Sequence, residues 1–160
     1  MDEQIDRVAL AVELFKQGYN CSQAVTAAFA DLYGLTREQA LLISASFGGG
    51  IGRMREICGA ASGMFILAGL DCGSAKAGDR EGKAYNYRIV QQLAAAFRQR
   101  NGSIYCNQLL GVAKNGNPVP EERNEQYYKK RPCVGMVASA AGIFNDYLQN
   151  KTTFDANNVK

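Results

Sequence analysis

The chain has 160 residues, 47% hydrophobic and 21% charged, and 18 basic against 15 acidic side chains give a formal charge of +3. This balance fits one globular domain with a real core and argues against a disordered chain, and the scattered basic residues form no patch of the kind that binds nucleic acid. No charge-free run, residues 57–70 included, exceeds 14 residues, short of the ~20 that cross a bilayer; with an acidic opening, MDEQIDRVAL, in place of a basic leader, the cytoplasm is the expected compartment and no membrane partner is expected.

Ile5, Val8, Ala9, Val12 and Phe15 recur at helical spacing between Asp2 and Gln17, and Gly18 supplies a left-handed stop. Asn20 caps a second helix reaching Tyr33, which puts Cys21 in its first turn, and Thr36 with Gln39 forms a capping box for a third helix to about Ser46. FGGGIG breaks the chain there. A fourth helix, an apolar one, is expected from near Arg55 to Leu70, and a loop holding Cys72 leads to Asp79, the cap of a fifth helix to Arg100. Ser103 opens a short sixth helix ended by Gly111. The polar stretch from Val112 to Arg131 holds two of the three prolines and reads as a surface excursion with one helical run after Pro120. A last amphipathic helix runs from Cys133 to Leu148. No alternating strand and no repeat is present, so the expected fold is all-α, a single domain of six or seven helices over residues 1–150, with residues 151–160 as a frayed tail.

Of five cysteines, Cys21, Cys58, Cys106 and Cys133 fall within about the first turn of an expected helix, while Cys72 falls in a loop and reads as structural or incidental. Helix N-termini offer free N–H groups and partial positive charge, which favour a thiolate. That effect is about 0.3–1 kcal/mol, less than the ~1.4 kcal/mol of one pKa unit, so a thiol of ordinary pKa near ~8.5 needs further help to ionise at neutrality. Arg53 or Arg55 can supply it to Cys58, and Lys129, Lys130 and Arg131 to Cys133; Cys106 has no close basic neighbour in sequence. The other reading of each cysteine is a small buried hydrophobe.

Gly59 and Gly63 leave one face of the fourth helix bare, which suits either close helix packing or room beside Cys58 for another cysteine, a metal or a ligand. FGGGIGR lacks the ending of a phosphate loop and follows a helix, so it reads first as a tight turn; the amides of Gly48, Gly49, Gly50 and Gly52, with Arg53, are the candidate lining of a small anionic or sulfur-rich site. The chain has no histidine, which removes a Cys–His nucleophile pair and imidazole ligation. It has no Cys-x-x-Cys either, so any thiol cluster must assemble from distant segments.

NCSQAV at 20–25, FGGGIGR leading to CGAASG at 58–63, CNQLLG at 106–111 and PCVGMV at 132–137 together resemble the C_GCAxxG_C_C family, whose proteins are described as redox-active. The resemblance implies that Cys21, Cys58, Cys106 and Cys133 are the family cysteines and that Cys72 is extra to the pattern. It implies redox chemistry without a substrate.

Three readings follow. In the first, the protein is a thiol redox protein, a thiol–disulfide oxidoreductase acting with a redox partner protein or a small thiol: Cys58 is the nucleophile, and Cys21, Cys106 and Cys133 are candidate resolving partners. In the second, the same four thiols hold an iron–sulfur cluster or zinc. In the third, the chain is a helical scaffold with packing cysteines and no cofactor. Pairing into a homo-oligomer through glycine-rich faces is compatible with each.

Overall fold

The computed structural model describes residues 4–151 and 154, and among these the fold is all-α, as expected, with eight α-helices and no strand. They are α1 (Arg7–Lys16), α2 (Cys21–Ala27), α3 (Arg37–Ser44), α4 (Gly59–Cys72), α5 (Arg80–Asn101), α6 (Cys106–Leu110), α7 (Glu125–Lys130) and α8 (Cys133–Gln149). Local chemistry sets most of their ends. Asp6, Asn20, Thr36, Asp79 and Asn124 accept backbone N–H bonds as N-caps, with full capping boxes at Asn20–Gln23 and Thr36–Gln39. Gly34, Gly102 and Gly111 take left-handed φ at C-terminal ends.

The apolar α4 runs through the middle, packed against α2, α5 and α8, while α1 lies along α8. Phe29 meets Phe144 edge to face at 5.0 Å, and with Phe15, Leu14, Met64, Leu67, Leu93 and Tyr147 they fill a core closed to solvent. The small residues at the start of α4 allow a tight crossing with α2. A Cβ on Gly63 would come to 2.9 Å from that of Val25, and one on Gly59 would collide with Cys21 Sγ. That bare face packs a helix closely, and what it packs against includes Cys21.

Four helices have boundaries that differ from expectation. The second helix stops at Ala27 and gives way to a 3₁₀ turn over Ala30–Tyr33. The fourth starts at Gly59, four residues late, because Arg55 takes φ +62°; it also runs on to include Cys72, which is helical and not in a loop. The sixth starts at Cys106, with Ser103 Oγ accepting from the Tyr105 amide ahead of it. The first begins at Arg7; the part expected at residues 2–3 lies outside the described residues.

Past α8, Lys151 Nζ donates to Asp71 Oδ1 at 3.0 Å and the Phe154 ring meets Tyr147 at 5.4 Å; the rest of the expected frayed tail lies outside the described residues. Asp71 also accepts from Tyr33 and Tyr147, at 3.0 and 2.7 Å, which ties the 3₁₀ turn, α4 and α8 together. No helix among the described residues is long and apolar enough to cross a membrane.

Candidate functional site: a four-thiol cavity walled by arginines

Between Phe47 and Cys58 the chain makes a turn of opposite hand. Five consecutive residues, Gly49 to Arg53, have φ between +55° and +76°, and Arg55 follows at +62°. Left-handed backbone is open to glycine but costs an L-residue roughly 1–2 kcal/mol, and Ile51, being β-branched, is among the worst suited. The turn is held by its own amides: Ile51 donates to Phe47, Gly52 to Ser46, Arg53 to Gly48, Arg55 to Gly49 and Glu56 to Gly50 at 2.7–3.2 Å. Its far side is tied down by two reciprocal bonds of 2.7 Å, Cys58 N–H to Ile104 and Cys106 N–H to Glu56. This short antiparallel bridge brings Cys58, the N-cap of α4, beside Cys106, the first residue of α6.

The turn walls a cavity of about 370 Å³, and Cys21, Cys58, Cys106 and Cys133 all line it. Each stands at a helix start, Cys58 as N-cap and the others as first residues. All are free thiols. Gly48, Gly49, Gly52 and Arg53 line the same cavity, while Gly50 stands behind it, where a Cβ would reach 2.6 Å from that of Cys106. Cys72 is elsewhere, accepting from Asn86 Nδ2 at 3.4 Å and donating to the Ala68 carbonyl at 3.3 Å.

Helix starts do act on these thiols, but burial acts harder. Burial pushes Cys58 far up, and the nearby sulfurs of Cys21 and Cys106 push the same way, against the amides of Ala60 and Ala61. Cys21 is raised by burial against the amide of Gly49, and Cys133 is raised to about 11, mainly by burial, with Arg131 pulling down. Arg55 was a candidate helper of Cys58, yet its Nη1 donates to Cys106 Sγ at 3.6 Å. The left-handed φ of Arg55 and the bridge to residues 104–106 cause this, and neither is visible in sequence spacing.

Arg55 is only 6% exposed and forms no ion pair with a carboxylate among the described residues. Three more arginines reach the cavity. Arg53 and Arg131 share Glu121, and Arg53 also donates to the carbonyls of Asn117 and Val119. Arg123 donates to the Phe15 and Tyr19 carbonyls at 3.0 and 3.1 Å and lies 4.2 Å over the Phe15 ring. The polar excursion is thus a strap along the cavity, contributing Pro118, Pro120, Glu121 and Arg123 to its lining. Arg131 stands close to Cys133 in sequence and acts on it as expected, but Arg123 carries no motif; its only signal is a run of charge and proline between two family cysteines.

Three or more Cys, Asp or Glu side chains close enough to hold one metal ion are not found among the described residues. The four-thiol donor set suits iron–sulfur ligation chemically, but it is not gathered into a single tetrahedral site.

The structure is thus an all-α domain whose separate helix starts converge four thiols on one cationic cavity. Residues 19–147 match the family described as "Putative redox-active protein (C_GCAxxG_C_C)". The chain belongs to that family. Comparison with curated proteins and with solved structures finds no match in either.

Proposed function

We propose that the protein is a thiol–disulfide redox protein whose attacking sulfur is Cys106 and whose resolving thiol is one of Cys21, Cys58 and Cys133. The observation that carries this reading is the buried Arg55 guanidinium donating to Cys106 Sγ in a cavity lined by three further thiols. A buried cation without a carboxylate favours an anion beside it, and the thiolate is the reactive form of cysteine. Burial keeps Cys21, Cys58 and Cys133 protonated at neutrality, so the roles divide: one sulfur held next to a cation, the others in reserve.

The Cys106 thiolate attacks one sulfur of a disulfide, forming a mixed disulfide and releasing the first thiolate. A neighbouring thiol loses its proton to solvent and attacks Cys106, releasing the second. Two electrons pass to the substrate, the two released thiolates take up two protons, and the protein keeps an internal disulfide. A partner dithiol resets it by the reverse steps.

The test is timed alkylation of the reduced, full-length protein with mass mapping at pH 7. Cys106 reacts first, and Cys106→Ser abolishes the loss of two thiols under mild oxidant. Cys58 reacting first, or oxidant consumption unchanged in the Cys106 variant, contradicts the assignment.

A second reading has its own support: all four thiols face the cavity, where a dithiol couple needs two. Four thiolates holding an iron–sulfur cluster use every one of them, and the cluster supplies one-electron chemistry when bound. Protein isolated without oxygen then carries iron and visible absorption, and a quadruple Cys→Ser variant carries neither.

A further inference from the structure

The charges around the cavity do not balance. Four guanidiniums face one carboxylate, an excess of three positive charges with the thiols protonated and of two with Cys106 as the thiolate. Glu121 serves both Arg53 and Arg131, Arg123 is met by two carbonyls and aromatic faces, and Arg55 has only a sulfur. The crowding registers on Arg53, whose pKa is lowered by burial first and then by Arg55. A domain of near-neutral composition has therefore concentrated like charge in this cysteine-lined cavity. An anion that enters relieves the repulsion and meets a fork shaped for carboxylate.

Apolar surface is present as well. Leu109, Met136, Pro118 and Pro120 line the cavity between the arginines, enough to cover a short carbon chain. The volume is that of a small-molecule site.

We propose that the substrate is a low-molecular-weight disulfide whose carbon chain carries a carboxylate, the carboxylate being held by the arginines while its sulfur faces Cys106. The inference rests on the thiol-exchange reading for its chemistry and on the arginine excess for its selectivity. Overall, one such disulfide and two protein thiols become two small thiols and one protein disulfide.

The experiment uses reduced full-length protein and three aliphatic disulfides: 3,3′-dithiodipropionate, an anion; 2-hydroxyethyl disulfide, neutral; and cystamine, a cation. Rates are divided by those of the same reagents with free cysteine. The expected order is anion, neutral, cation, with about tenfold or more between the ends, shrinking in high salt. Suberate, in which methylenes replace the two sulfurs, is titrated separately by calorimetry beside 1,6-diaminohexane. Suberate binds and the diamine does not, and Arg55→Gln weakens suberate about tenfold. Equal corrected rates across the series, or no suberate binding to the parent protein, overturns the inference. Suberate binding with all three disulfides inert upholds the anion site and overturns thiol exchange.

Discussion

Ile51 holds φ at +64° inside a run of left-handed residues, and it shows how much the turn asks of single positions. Glycine in place of a residue elsewhere in ordered structure usually costs about 0.5–1 kcal/mol. Here strain relief of roughly 1–2 kcal/mol works in the other direction. Ile51→Gly is therefore expected to be neutral or stabilising by up to about 1 kcal/mol in urea unfolding; an ordinary glycine loss would show that the turn is not strained. The cysteine positions were legible because caps are local: Asn20 before Cys21 and Pro132 before Cys133 mark helix starts in sequence. The partner of Cys106 was not. Arg55 reaches it across 51 positions through a backbone conformation that arginine seldom adopts and that no periodicity encodes.

The crossing of α2 and α4 sets the inner wall of the cavity, so it links packing to function at the level of elements. At Gly59 an added methyl would collide with Cys21 Sγ and come to 2.9 Å from the Phe47 carbonyl, which as backbone cannot swing away. Gly59→Ala is expected to destabilise by about 1–3 kcal/mol and to slow exchange at Cys21 as the helices separate. Gly69→Ala on the same helix has open space and stays within about 1 kcal/mol of the parent or above it, so thermal melts of the two variants separate a crossing effect from a helix effect. Helix existence followed from caps and apolar spacing at nearly every element. The strap did not follow: its form depends on Arg53, Glu121 and Arg131 meeting across 68 and 10 positions, and long-range ion pairs leave no local pattern.

For the molecule as a whole, burial of titratable groups fixes how stability varies with pH. Burial raises Asp71, but bonds from Tyr147, Lys151 and Tyr33 outweigh it and hold the carboxyl below its ordinary range. Its contribution is present above about pH 4 and is lost as pH falls through its lower folded value. Cys21, Cys58 and Cys133 are raised, so the unfolded chain ionises first and stability falls as pH climbs above about 8.5, through the value of about 11 reached by Cys133. Tyr33 and Tyr147, both raised by burial and by Asp71, steepen the alkaline side. Urea midpoints across pH 3–11 should form a plateau near neutrality with losses at both ends, and Asp71→Asn should flatten the acid side. Stability that keeps rising above pH 9 would contradict the burial of the thiols. The fold class needed only composition and period. This network needed three elements to meet, and its Tyr, Asp and Lys are scattered over more than a hundred positions.

The four thiols enter the cavity from segments separated by 37, 48 and 27 positions. Any bond between two of them is therefore also a long cross-link in the unfolded chain. It removes closure entropy equivalent to roughly 3.5–5 kcal/mol, a large share of what holds a domain of this size together. Oxidation and resistance to unfolding are two readings of one event, and a cell that drains electrons from this cavity hardens the protein in the same step.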